Sequence, residues 1–221
     1  MAPPRPPLPA DLPAQFGSID IYLFDQLLRG RIKSGMRILD AGCGGGRNLV
    51  YLLRSGFDVW GADKDPVAIA AVCTMAASLA PALPTDQFRV EPLERMTFPD
   101  AHADVVISNA VLHFARDDQH FEAMVREMWR VLKPGGMLFC RLASTIGMAE
   151  RMKRVRGRRY HLPDGTERYL VDEPLLLALT ARLGATLLDP LKTTVVQDQR
   201  AMTTWVVRKS RETQDGAPAP G

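Results

Sequence analysis

The sequence predicts a three-layer α/β sandwich, with a mostly parallel sheet between two layers of helices and an antiparallel edge. Three observations carry this. Short apolar runs alternate with helical patterns from residue 18 to residue 143, the alternation expected when helices cover both faces of a parallel sheet. The last third switches to closely spaced strand signals around an Asp164-Gly165 turn, which supplies antiparallel strands. At 221 residues and 46% hydrophobic, the chain can bury one large core, so a single domain is expected.

Taken in order, residues 1–13 are proline-rich and read as an extended, disordered tail. A helix from Ser18 to about Arg31 carries an apolar stripe of Ile19, Tyr22, Leu23, Leu27 and Leu28. The first strand, Met36 to Ala41, contains Asp40, and a helix from Arg47 to Ser55 closes at Gly56. The second strand, Asp58 to Ala62, leads to Asp63, and an Ala-rich helix runs from Pro66 to Ala80 with proline where its missing N–H does no harm.

Phe88 to Glu91 and Ala103 to Asn109 are the third and fourth strands. A helix from Asp118 to Leu132 stops at Lys133-Pro134-Gly135-Gly136, and the fifth strand is Met137 to Ala143. Residues 158–171 form a hairpin that reads as a lid, Glu173 to Arg182 a helix, and 185–188, 193–197 and 201–207 the edge strands. Residues 210–221 are a second polar tail, which leaves 14–209 as the folded domain.

Composition narrows the function classes. The net charge of +3 is too small to argue for a nucleic-acid partner. Cys43, Cys73 and Cys140 are scattered and odd in number, which points away from a disulfide framework and toward a reducing compartment. No stretch is long enough to span a bilayer, the N-terminus has no apolar signal region, and no carboxylate cluster suggests a divalent metal. A cytoplasmic protein that uses no metal is expected.

The chemistry concentrates at Asp40-Ala41-Gly42-Cys43-Gly44-Gly45-Gly46. A strand running into a glycine-rich turn and then a helix lets a ligand approach the backbone closely, and the helix start offers free N–H groups. Dinucleotide enzymes use such a turn too, but they place Gly or Ala where Arg47 stands here. Asp40 would repel a pyrophosphate and suits a ligand bearing an ammonium group, such as the methionine end of S-adenosylmethionine. Asp63, at the end of the next strand, can accept from both ribose hydroxyls; as a purely structural residue it would hold the turn before Pro66.

The segments Ile38 to Gly46, Asp63, Phe98 to His113 and Lys133 to Gly136 together resemble the motifs of the class I (Rossmann-like) S-adenosylmethionine-dependent methyltransferases, in their small-molecule branch. The resemblance covers about Ile19 to Val207. It implies a seven-stranded sheet whose last strand is antiparallel, and methyl transfer from S-adenosylmethionine to an oxygen, nitrogen, sulfur or metalloid acceptor by in-line displacement. Arg47-Asn48-Leu49 after the glycines is similar to tellurite-resistance and thiol-type members.

Residue by residue, the resemblance implies that Asp40, Gly42 and Gly44 line the methionyl moiety and Asp63 the ribose. Leu93 and Glu94 follow the third strand, where members contact adenine; Pro92 stands where Asp is common. Asn109 would contact the methionine end. Tyr22, Cys43, Arg47 and Lys64 complete the expected cofactor site, with Tyr22 equally readable as core.

His113, just past the fourth strand, is the candidate general base, against a loop histidine that packs. Arg151, Lys153, Arg154, Arg156, Arg158 and Arg159 could meet an anionic acceptor or RNA, or form a solvated, flexible connection. Arg141, Tyr160, His161, Arg168 and Tyr169 could face the acceptor. An RNA or protein methyltransferase and a non-catalytic S-adenosylmethionine-binding module are the competing readings.

Overall fold

The computed structural model describes residues 11–211. Five parallel strands, β1 (Arg37–Ala41), β2 (Asp58–Asp63), β3 (Phe88–Val90), β4 (Ala103–Asn109) and β5 (Leu132–Ser144), lie in the order β3-β2-β1-β4-β5. An accessory three-stranded sheet follows, made of β6 (Lys153–Arg156), β7 (Arg159–His161) and β8 (Glu167–Tyr169). The main sheet is then completed by β9 (Ala185–Leu187), β10 (Lys192–Val196) and β11 (Arg200–Lys209). β11 pairs antiparallel with β5, with β10 and with β9. Because β9 meets residues 207–209 and β10 residues 200–204 of the same β11 edge, the two are one edge strand interrupted around Pro190. Proline has no N–H for the ladder. Eight strand segments therefore fill seven positions, and the last strand is antiparallel, as expected from the sequence.

Alternation along the strands sorts the core into two halves. Ile38, Val105 and Ile107 face one way, with Leu23 of α2 (Ile21–Leu28), Leu52 of α3 (Val50–Arg54) and Val72 of α4 (Pro66–Leu79). Leu39 and Val106 face the other, with Phe121 and Met128 of α5 (Asp118–Val131) and Leu176 of α6 (Glu173–Arg182). These are the three layers. Asp20, Asp65, Asp117 and Asp172 cap α2, α4, α5 and α6, each accepting from a first-turn backbone N–H. Each such cap contributes about 1 kcal/mol.

Four sequence expectations change. Leu12 and Pro13 belong to a five-residue helix, α1 (Leu12–Phe16), with Asp11 before it, rather than to the tail; residues 1–10 of the tail lie outside the described residues, as does 212–221. α2 is shorter than 18–31, because the chain turns at Gly30 with φ 64°. α3 begins at Val50 rather than Arg47, since the glycine turn continues through residues 47–49. Lys133 to Gly136 is an irregular start of β5: Leu132 already pairs with Ala103, and the register shifts before Val105 pairs with Met137. Among the described residues no helix is long and apolar enough to cross a membrane.

Candidate functional site

The strand order reverses at β1, which has β2 on one side and β4 on the other. In open α/β sheets the carboxyl ends of strands at such a point form a crevice. A cavity of about 560 Å³ opens there, and its walls come from the loops after β1, β2, β3 and β4 and from α5.

The glycine turn is its floor. Gly42 has φ 85°, and a Cβ there would lie 2.5 Å from Val111 Cγ2, so both its backbone and its space require glycine. The Gly42 and Cys43 N–H groups donate to the Ala62 carbonyl at 2.7 and 3.1 Å. Asp63 closes the turn from the other side: its carboxylate accepts from Gly44 N–H at 2.9 Å and from Asp65 N–H at 3.0 Å. The Gly46 N–H donates to Cys43. The turn's donors are thus partly used within the protein, and no α-helix starts directly behind them. The glycine turn itself, rather than a free helix terminus, therefore faces the cavity.

Asp40 sits at the end of β1 with 1% of its surface exposed, and neither carboxylate oxygen has a hydrogen-bond partner. Burial raises its pKa from 3.8 to about 7, with Arg47 pulling in the opposite direction. Asn109, on the cavity wall, is also buried, and both ends of its amide lack partners. Unsatisfied buried polar atoms are costly, and two such groups lie close together here, Asn109 on the cavity wall and Asp40 just before the glycine turn.

The opposite wall is Pro92, Leu93, Glu94, Arg116 and His120. His120 Nε2 lies 3.2 Å from Glu94 Oε1, and an Arg116 nitrogen lies at 3.9 Å. Burial pushes the Glu94 carboxyl up, but its own backbone N–H and the neighbouring His120 outweigh this and hold it below its usual range.

Of the expected cofactor residues, Gly42, Cys43, Gly44, Arg47, Asp63, Lys64, Leu93, Glu94 and Asn109 line this cavity. Asp40 is outside the lining set. So is Tyr22, whose hydroxyl lies 2.6 Å from Thr194 Oγ1 and whose ring carries the Arg141 guanidinium at 5.5 Å. Tyr22 thereby ties α2 to β10. Burial pushes the Cys43 thiol up, so it stays protonated. Sequence reasoning missed Gly45, Asn48, Pro92, Ala110, Val111, Phe114, Arg116, His120 and Met124 as lining residues. Position just past a strand tip was the available signal for Ala110 to Phe114; His120 and Met124 had none beyond helical spacing.

His113 is buried and lines a second cavity, of about 330 Å³, rather than the first. The two share Arg47, Ala110 and Phe114. Burial, reinforced by Arg168 and Arg200, lowers the His113 pKa to about 4, so the ring is neutral at pH 7. A base that weak is poorly matched to proton abstraction near neutrality.

The basic run is a strand and its turns rather than a flexible connection. Arg151 pairs with Asp198, Arg158 with Asp172 and Arg159 with Glu167, while Arg154 donates to the Tyr160 hydroxyl. Of the five acceptor-facing candidates, Arg141 and Arg168 line the second cavity; Tyr160, His161 and Tyr169 do not. Tyr169 is buried and donates to Asp118 at 2.8 Å.

Residues 39–140 match the model of a family described as a methyltransferase domain. The ubiquinone biosynthesis O-methyltransferase of Brucella anthropi is 32% identical over 169 residues, covering 72% of this chain and 64% of that protein. The chain spans 40 to 64% of the length of this and two further curated relatives, both uncharacterized methyltransferases. Among solved structures, an S-adenosylmethionine-dependent methyltransferase from Methanosarcina mazei superposes with a TM-score of 0.70 at 21% identity, covering 84% of this chain and 98% of that one. A (4+2)-cyclase, SpnF, superposes at 0.66 and 20% identity, covering 86% and 81%. The fold is therefore the Rossmann-like methyltransferase fold, which hosts more than one reaction.

Proposed function

We propose that this chain is an S-adenosylmethionine-dependent methyltransferase acting on a small-molecule acceptor. The observation that carries the reading is Asp40, a buried carboxylate without a partner beside a glycine-floored cavity. Such a group opposes a pyrophosphate and completes its bonding with an ammonium group. The methyltransferase-domain match over 39–140 supports the same cofactor.

When bound, S-adenosylmethionine supplies an electrophilic methyl on a sulfonium that departs as a neutral thioether. The chain's own residues bind and orient. Asp40, Gly42, Gly44 and Asn109 hold the methionyl end. Asp63 accepts from the ribose with the lone pairs not given to Gly44 and Asp65. Leu93 and Glu94 face the adenine, while Arg47, Cys43 and Lys64 border the cavity; Tyr22 supports this site from outside it. Placing the nucleophile in line, in the passage between the two cavities, supplies the rate enhancement that proximity allows. His113, neutral and weakly basic, serves to shape the acceptor cavity. The acceptor atom class remains oxygen, nitrogen, sulfur or metalloid. The likeness to tellurite-resistance and thiol-type enzymes carries little weight in choosing among these, because Arg47 and Asn48 are both engaged with Asp20, at 3.9 and 3.0 Å. Residues 14–209 act as the working domain, with 158–171 as the wall over the acceptor cavity.

Calorimetry with S-adenosylhomocysteine against NAD tests the cofactor, and binding of NAD alone would overturn the reading. Turnover to S-adenosylhomocysteine then separates an enzyme from a binding module.

A further inference from the structure

Resting on that reading, we propose that the second cavity takes an acceptor bearing an oxyanion, a carboxylate or a phosphate monoester, anchored by Arg168 and Arg200. Four arginines, 47, 141, 168 and 200, line this space, against one carboxylate, Asp164. Two of the four are already engaged: Arg141 and Arg47 lie 3.2 and 3.9 Å from Asp20. The other two make no such ion pair. Among the described residues neither Arg168 nor Arg200 has a carboxylate within ion-pair distance.

Asp164 does not neutralise them by contact. Its carboxylate accepts from the Thr166 N–H at 2.9 Å and the Thr166 hydroxyl at 2.6 Å, holding the β7–β8 turn. Arg168 is itself positioned: it donates to the Glu167 carbonyl at 2.8 Å, and its guanidinium lies 4.8 Å from the centre of the Phe114 ring. A guanidinium stacked on an aromatic face presents its donor fork in a fixed plane, the arrangement that recognises oxyanions. Phe114 lines both cavities, so an anion held by Arg168 sits beside the passage to the first cavity.

The remaining lining selects for size and polarity. Leu162, Val196 and Met202 give apolar contact, and His113 contributes no charge at pH 7 while leaving its buried Nδ1 without a partner. At about 330 Å³, the cavity fits one small ring-sized molecule rather than a polymer.

The test titrates the full chain with benzoate, phenyl phosphate and neutral benzamide, each with and without saturating S-adenosylhomocysteine. We expect at least one anion to bind about tenfold or more tightly than benzamide. Arg168→Gln and Arg200→Gln should each erase most of that preference and leave S-adenosylhomocysteine affinity unchanged. Preference for benzoate identifies a carboxylate anchor, and preference for phenyl phosphate a phosphate one. Equal binding of all three probes, no binding of either anion, or anion preference that survives both substitutions overturns the proposal. Failure of S-adenosylhomocysteine to bind would fall on the cofactor reading instead, since the titrations without it report on the second cavity alone.

Discussion

Asp40 and Asp63 are both carboxylates at strand ends, yet the protein uses them differently. Asp63 is satisfied within the protein, by Gly44 and Asp65, while Asp40 is buried and unsatisfied. Replacing Asp63 with Ala should therefore act twice. It should cost about 1–3 kcal/mol of stability through the two orphaned N–H groups, and it should weaken S-adenosylhomocysteine binding through the ribose. Denaturant unfolding and calorimetry on the same variant separate the two, and a purely structural residue would move only the first once binding is measured on folded protein. For Asp40 the sign comes from its raised pKa of about 7. A cationic ligand favours the ionised form, so binding should release protons below pH 7, and affinity should rise with pH until about 7 and then level off. Asp40→Asn should lower affinity about 10- to 100-fold and abolish that slope. A flat affinity profile in the wild type would remove Asp40 from the ligand's surroundings.

At the scale of elements, the site depends on two loops meeting. The glycine turn after β1 and the Val111 side chain after β4 interlock so closely that Gly42→Ala has no room. That substitution meets both a positive φ and a collision, and we expect a loss of about 2–4 kcal/mol in urea unfolding together with lost cofactor binding. A stability within 0.5 kcal/mol of wild type would mean that the turn and the β4 loop are not locked. The accessory sheet is fastened by the Tyr169 hydroxyl on Asp118 and by Arg158 on Asp172. Sequence legibility follows the same division. The glycine turn, the strand tips and Asp63 were readable because backbone conformation and spacing are local. Arg116 and His120 were not, because their place at the site depends on how the β4–α5 loop crosses the sheet. Strand β6 went unread as a strand because its residues are exposed and, apart from Val155, basic, which leaves no hydrophobic period to detect.

For the molecule as a whole, the layers were legible because Ile38 and Leu39 commit neighbouring positions to opposite cores, a pattern every central strand repeats. The broken edge strand was read as separate strands because Pro190 interrupts the pairing. Burial within those layers also sets an acid-stability balance. Asp40, raised to about 7, binds more protons folded than unfolded between pH 3.8 and 7, so falling pH stabilises the protein through it. His113 and His102, each lowered to about 4 chiefly by burial, bind fewer protons folded than unfolded between pH 6.5 and 4, so falling pH destabilises through them. The Asp40 and His113 contributions are each on the order of 3–4 kcal/mol at full extent and oppose one another over the same range, with His102 adding to the histidine side. Wild-type stability should thus fall only gently from pH 6.5 to 4.5, with Asp40 offsetting part of the histidine loss, while carboxylates such as Asp189 and Asp172, held below their usual range, are still ionised. Asp40→Asn should remove the opposing term, giving stability that falls more steeply on acidification than the wild type's. His113→Gln should leave Asp40 opposed by His102 alone, with stability that holds nearly level as pH drops toward 4.5. Urea midpoints for the three proteins at half-unit pH intervals read this directly, and parallel profiles would show that these two buried groups do not set the balance.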